Sequence, residues 1–374
     1  MVNSQNTQEP IFTEYGIPIR NLWHMLLYAW NEVPLKHGWT WQAVDHAPTL
    51  DALLASVLMK LVQQRLRIGL GHEYVAEKRA LSGPRGRIDF AATLKSRSLE
   101  RSQIICEFQG YSANSLKNQI IRSTLARLVK VGQFGPFDKL RAAPETAAVK
   151  KIQQTLRRVL RDLDGIDFIE LTPDLIRRQL LRRNDHDYRL MLAICDLIFQ
   201  RTMPDGPGAD AIVPVLDRQE LVLYNVYERF VANFYRIHLR GWEVSAQKRL
   251  DWHARNTSER LPLMVPDLVL QETSSDRLMI VDTKFTVHSL VENQWGKPVF
   301  DSSHLYQLYA YLKSQEHLSE AHRSAVGILL YPAVQARLSE RIELRDHVMR
   351  IESIDLAAPW QEVERQLLEV VYNK

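Results

Sequence analysis

The chain has 374 residues, 45% of them hydrophobic and 25% charged, with only 15 glycines and 16 prolines, which excludes a disordered or low-complexity polymer and suits two packed domains. A formal charge of +4, carried mostly by arginine, permits a phosphate-bearing partner without requiring one. Two cysteines, Cys106 and Cys195, stand too far apart and too isolated for a disulfide framework or a Cys/His zinc site, and fit a reducing, cytoplasmic setting.

The polar start MVNSQNTQEPIF lacks the charged lead and apolar core of an export signal. LWHMLLYAW (22–30) is far shorter than the ~20 apolar residues that span a bilayer, so no membrane association is expected. This run predicts a well-buried helix from Asn21 to Trp30, with Asn21 as its cap and Pro18 just upstream. ALLASVLMKLVQQRLRIGL (52–70) predicts a second helix, whose basic end, Arg65 and Arg67, complements the helix dipole.

A small β-element is expected near residues 73–110, around the turn SGPRGR; Arg85 and Arg87 there suit either a phosphate or plain solvent. Helices are expected over 115–132 and over 145–164, beginning near Pro144, and onward through DFIELTPDLIRRQLLRRNDHDYRLMLAICDLIFQR. Cys195 reads as a small core residue in the last of these. The clusters Arg177, Arg178, Arg182 and Arg183 suit a solvated face or a nucleic-acid backbone.

The window MPDGPGADAIVP (203–214) is the richest in glycine and proline, and marks the domain boundary. A helix over QELVLYNVYERFVANFYR follows, with an apolar stripe of Leu223, Val226, Tyr227, Phe230 and Phe234. Strand-like MVPDLVL, RLMIVDTKF and AVGILLYP, with helix-like SSHLYQLYAYLKS before the last, predict an α/β core with a mixed sheet.

The chemistry concentrates in VPDLVLQETSSDRLMIVDTKF (265–285). Alternation along a strand puts Asp282 and Lys284 on one face and Thr283 on the other, and a hairpin closed at TSSD brings Asp267 beside Asp282. Two carboxylates at the end of an apolar strand repel unless a cation lies between them, and Mg2+ suits oxygen ligands combined with waters and a phosphate. Asp267 and Asp282, with the Thr283 carbonyl, are the expected metal ligands; Lys284 is expected to orient the attacking water and balance charge during phosphodiester hydrolysis.

On the next helix Leu305, Leu308, Tyr309 and Leu312 form the expected core stripe, and His304, Gln307 and Tyr311 a polar stripe beside it. Gln307 and Tyr311 are placed to line the site, whereas His304 reads as a packing histidine. Glu228 is a third carboxylate on the opening helix, although it lies off the Phe230 stripe and reads more simply as exposed; Glu220 is another candidate. No G-x-x-x-x-G-K-[ST] phosphate loop is present, so no nucleotide cofactor is expected on this chain by that route.

P-D, a spacer, D-T-K and Q-x-x-x-Y together resemble the PD-(D/E)xK nuclease superfamily in its RecB-like version. IPIRNLWHMLLYAWN, GPRGRIDF, NSLKNQIIRSTLARL and LTPDL, followed by VPDLVL, LMIVDTKF, LYQLYAYL and GILLYP, extend the likeness from Ile17 to Pro332, in the order of the McrC family of McrBC modification-dependent restriction systems. The resemblance implies a mainly helical N-terminal partner-binding domain (1–205), then an α/β nuclease domain (210–374). It makes Asp267, Asp282 and Lys284 catalytic in a Mg2+-dependent endonuclease. It also implies a hexameric McrB-like AAA+ GTPase partner, whose GTP hydrolysis the chain stimulates, and double-stranded DNA carrying modified cytosine. A stand-alone repair nuclease and a non-catalytic adaptor of an AAA+ motor are the rival readings.

Overall fold

The computed structural model describes residues 16–31, 49–131, 147–179, 186–202, 215–254, 258, 260–285, 290–292, 298–334, 337–344 and 347–373. Eleven α-helices and eleven strands lie among them, in two compact units: Met1–His46 with Gly206–Lys374, and Ala47–Asp205.

In the unit Ala47–Asp205, α2 (Leu50–Ile68) starts on the Thr49 side chain, which accepts from Ala52 N at 3.2 Å, a hydroxyl satisfying one of the helix's orphan amides. Arg65 and Arg67 occupy its last turn. A three-stranded antiparallel sheet follows, of β1 (Glu73–Leu81), β2 (Arg87–Ile88) and β3 (Ile104–Ser112). Its order is β1-β3-β2, so the strands flanking SGPRGR pair with β3 and not with each other. Gly86, at φ +67°, is required there, because a Cβ would lie 2.4 Å from the Glu107 carbonyl oxygen. Arg85 stacks its guanidinium 4.2 Å from the centre of the Phe108 ring.

The short α3 (Phe90–Lys95) precedes α4 (Leu116–Val131), α5 (Ala147–Asp162), α6 (Pro173–Arg177) and α7 (His186–Thr202), near the expected helical stretches. Thr172 caps α6, with Pro173 in its first turn. Cys195 is fully buried in α7, as its apolar surroundings suggest. Arg177 pairs with Asp196 and Arg178 with Asp174, so both serve the unit's own surface. Arg182, Arg183, Pro144 and the 203–214 window lie outside the described residues.

In the other unit, α1 (Ile19–Ala29) packs with α8 (Val215–His238) and α11 (Trp360–Tyr372), which moves the first helix out of the 1–205 grouping. Trp23, Met25 and Tyr28 are fully buried, and Tyr28 packs on Phe230 and Phe234. The Tyr28 hydroxyl meets His238 Nε2 at 2.8 Å and donates to Glu364 Oε1 at 3.1 Å. Asn21 is not the cap, for the helix begins after Pro18. Its buried amide instead donates to Leu356 O and Ala358 O at 2.8 Å each.

The apolar stripe of α8, Leu223, Val226, Tyr227, Phe230 and Phe234, is buried throughout. Truncating a fully buried ring such as Phe230 to alanine costs ~3–5 kcal/mol, through lost burial plus the cavity left behind.

A six-stranded mixed sheet forms the centre of this unit. It comprises β4 (Trp242–Ala246), β5 (Leu268–Glu272), β6 (Leu278–Thr283), β9 (Val326–Ala333), β10 (Ser339–Leu344) and β11 (His347–Asp355), in the order β10-β11-β9-β6-β5-β4. A separate two-stranded ribbon pairs β7 (Leu290–Glu292) with β8 (Pro298–Phe300). β5 and β6 form the antiparallel hairpin closed at TSSD, and β6 pairs in parallel with β9.

The crossover from β6 to β9 carries α9 (Ser302–Gln315), capped by Asp301, and the single turn α10 (Glu320–Arg323). Gly327 lets α9 lie close over β9: a Cβ there would meet Leu312 Cδ1 at 2.9 Å and Leu308 at 3.0 Å. The buried face of α9 is Leu308, Tyr311, Leu312 and Gln315. Tyr309 is 40% exposed, so the core stripe is rotated from the expected 305, 308, 309 and 312. Aromatic and aliphatic residues surround this helix too evenly for periodicity to choose its inner face.

Candidate active site at the end of the β5–β6 hairpin

The β5–β6 register pairs Leu268 with Val281; carried one residue further, it sets Asp267 opposite Asp282. Both carboxylates are buried at 5% and 2% exposure, because the apolar runs LVL and LMIV carry them into the sheet centre before the chain turns out.

Asp267 Oδ2 accepts from Thr283 N at 2.7 Å and from Thr283 Oγ1 at 2.6 Å. Thr283 therefore does not face away from the acids: Asp267 sits just outside the ladder, and its carboxylate reaches over the end of β6. Asp282 Oδ2 lies 2.7 Å from Lys284 Nζ, yet no donor is aligned on that buried oxygen for a hydrogen bond. Lys284 Nζ donates to Gln307 Oε1 at 2.9 Å, Gln307 Nε2 to the Tyr311 hydroxyl at 2.7 Å, and Tyr311 to Val265 O at 3.3 Å. The lysine is thereby held between its carboxylate and α9.

Burial, and next the charge of Asp267, push Asp282 up to about 6, against the opposing pull of Lys284. Asp267 is also raised, by burial above all, with the Thr283 hydrogen bonds opposing. Both acids are thus held above the ordinary carboxylate range despite the nearby Lys284.

Glu228 is half-buried and its Oε1 accepts from Gln247 Nε2 at 2.5 Å, while the same amide lies 3.4 Å from Asp267 Oδ1. Burial and then Asp267 raise Glu228, so the simpler exposed-glutamate reading does not hold. The Glu220 side chain lies outside the described residues. His304 is half-buried, with Nδ1 2.9 Å from the Tyr331 hydroxyl, as a packing histidine would be; burial and then Lys284 lower its pKa.

Two residues escaped the sequence reading. Gln247 follows β4, an unforeseen strand, and only the β4–β5 pairing of Ala246 with Leu268 brings it to Asp267. Its backbone takes φ +53°, an uncommon conformation for a non-glycine residue, and its N–H donates to Asp267 O at 3.0 Å. Tyr224 lies one helical turn before Glu228. Burial, and then the charges of Asp267 and Asp282, raise its hydroxyl pKa, placing it towards the acids. Its spacing of four from Glu228 was a sequence signal, but nothing marked that face of α8 as the inner one.

No group of three or more His, Cys, Asp or Glu residues suited to a metal occurs among the described residues. A closed zinc site with four side-chain donors does not fit. Two buried acids, one with an oxygen lacking an aligned donor, do fit Mg2+, which keeps several waters and needs one or two carboxylates.

A family model described as "McrBC 5-methylcytosine restriction system component" matches residues 3–332. The Type IV methyl-directed restriction enzyme EcoKMcrBC of Escherichia coli (strain K12) is 28% identical over 358 residues, covering 95% of this chain and 97% of that protein. The structure of Thermococcus gammatolerans McrB AAA+ hexamers with bound McrC matches in fold, with a TM-score of 0.51 at 15% identity over 94% of this chain and 76% of that one. No helix among the described residues is long and apolar enough to cross a membrane.

Proposed function

The chain belongs to the McrBC 5-methylcytosine restriction system component family, and from that premise we propose that it is the DNA-cutting subunit of a modification-dependent restriction complex. The observation that carries this reading is the pair of buried, pKa-raised acids Asp267 and Asp282 beside Lys284. Burying a second acid beside an ion pair already made costs stability that a merely structural contact does not require. The arrangement of β5, β6 and α9 supports a PD-(D/E)xK-type assignment of the unit.

Asp267, Asp282 and the Thr283 carbonyl would hold Mg2+. When bound, the ion polarises the scissile phosphate and lowers the pKa of a water. The residues of the chain do the rest. Lys284, steered by Asp282 and Gln307, donates to the attacking water or a phosphate oxygen and offsets the charge that develops there. Gln307 and Tyr311 fix that ammonium against α9, and Gln247 fixes Asp267 against Glu228. Asp267 is oriented by its two Thr283 hydrogen bonds on Oδ2 and by Gln247 at Oδ1.

The substrate is double-stranded DNA carrying modified cytosine, and the partner is a McrB-like AAA+ GTPase hexamer whose hydrolysis the chain stimulates. The unit Ala47–Asp205 is the proposed partner-binding part, and the sequence carries no phosphate loop of its own.

The test is reconstitution with the GTPase, methylated DNA, GTP and Mg2+. Asp282→Ala and Lys284→Ala should each lose cleavage by at least ~10²-fold while GTPase stimulation persists. Undiminished cutting in both variants would overturn the assignment.

A further inference from the structure

A second polar site lies in the same unit, away from the carboxylates. Trp252, His253, Lys313, Ser314, His317 and Arg323 line a cleft of about 390 Å³. The His253 and His317 rings stack with centroids 3.6 Å apart, 19° from parallel. His253 holds a backbone φ of +50°, a conformation that costs a non-glycine residue energy and gathers at ligand sites.

The cleft is biased towards positive charge. Its one lining acid, Glu316, is already engaged by Lys313 and by His347 Nε2 at 2.8 Å. Arg323 reaches Glu320 at 3.1 Å but keeps 62% of its side chain exposed. Burial, then the charges of Lys248 and His317, hold the neighbouring His322 below the ordinary histidine range. An anion from outside would complement this field.

Position selects the anion. On α9 the line Gln307, Tyr311, Ser314 runs at helical spacing from the residue that holds Lys284 to the residue that lines the cleft. Seven residues of helix span about 10 Å, the axial rise of about three base pairs. The far wall is tied to the acids as well, because Gln247 at Asp267 begins the segment that ends in Trp252 and His253. Gln315 Nε2 anchors that segment by donating to Asp251 O at 2.7 Å.

We propose that the Trp252–His253–His317–Arg323 cleft grips a backbone phosphate of the DNA, about three nucleotides to one side of the cut. This rests on the DNA-cutting reading of the β5–β6 site and adds a second anchor that sets how the duplex lies across it.

The test uses the full chain and a fluorescent duplex of about 20 base pairs, with Ca2+ in place of Mg2+, and reads anisotropy between about 50 and 200 mM salt. Arg323→Ala and His317→Ala should each weaken binding about three- to tenfold at low salt. Arg323→Ala should also lower the slope of log K against log salt by about 1, equally for methylated and unmethylated duplexes. Arg323 is exposed enough that its truncation leaves the fold intact, which thermal melts of both variants will verify.

Unchanged affinity and slope in both variants would overturn the phosphate grip while leaving the cutting site untouched. Arg323-sensitive binding of inorganic phosphate with unchanged DNA affinity would overturn it equally. Absence of any salt-dependent DNA binding by the unaltered chain would count against both readings.

Discussion

Two places in this molecule gather similar ingredients, a lysine beside two carboxylates at a sheet, and make different things of them. In the small sheet, Lys78 pairs with Asp89 and with Glu107 at 3.0 Å, and the side chains keep 48%, 23% and 42% of their surface in water. In the large sheet, Lys284 pairs with Asp282 beside Asp267, with the lysine at 12% and Asp282 at 2% exposure. The Ala92 amide, and then Lys78, lower the Asp89 pKa, whereas burial carries Asp282 up to about 6. Composition is similar; depth decides whether the cluster is a solvated ion pair or a pair of buried acids held above their ordinary range.

The strongest way to break this comparison is Asp282→Ala assayed beside Lys78→Ala in the reconstituted complex. The first should abolish measurable cleavage, at least ~10²-fold, and the second should leave the cutting rate within about twofold. Comparable losses would show that depth is not the distinction. Chelating divalent ions should silence the unaltered protein as thoroughly as Asp282→Ala, read by gel cleavage before and after Mg2+ is restored.

Stability sharpens the contrast. A carboxyl held near 6 when folded and near 4 when unfolded binds more protons in the folded state between those values. The metal-free chain therefore gains stability from this group as pH falls through about 6, and loses it as pH rises. Asp282→Asn should stabilise the metal-free protein by roughly 1–3 kcal/mol at neutral pH, with the advantage fading towards pH ~4. Denaturant melts at the two pH values decide it; an advantage independent of pH would sink the account.

A smaller effect is expected at Gln247→Ala, which removes the link between Glu228 and Asp267. The Mg2+ concentration for half-maximal cutting should rise about tenfold or more, as for other residues that orient a metal ligand, with a lesser change in the rate at saturating Mg2+. The smallest effect belongs to Lys78→Ala, whose melting midpoint should match that of the unaltered chain.

Much of this was legible in sequence, and the reasons are local. The turn at TSSD, the apolar runs on either side and the two-residue period bring Asp267, Asp282 and Lys284 together without any knowledge of the rest of the sheet. The α8 stripe announces a buried face. The likeness to a nuclease family used the same residues.

What escaped depended on partners far away along the chain. Asn21 looks like a cap until its two carbonyl acceptors, Leu356 and Ala358, arrive from the other end of the chain. Tyr309 and Tyr311 are indistinguishable by hydropathy until β9, thinned at Gly327, chooses the side on which α9 lies.

The sequence by itself determined the hairpin, its acids and the lysine beside them, because alternation and turn chemistry act over a few residues. Only the tertiary structure decided that Glu228 and Gln247 join the acids, that Thr283 bonds Asp267, and that α1 belongs with the C-terminal unit. Those outcomes depend on strand order and helix rotation, which are set by burying apolar surface from segments far apart in the chain, a non-directional force that no short stretch of sequence records.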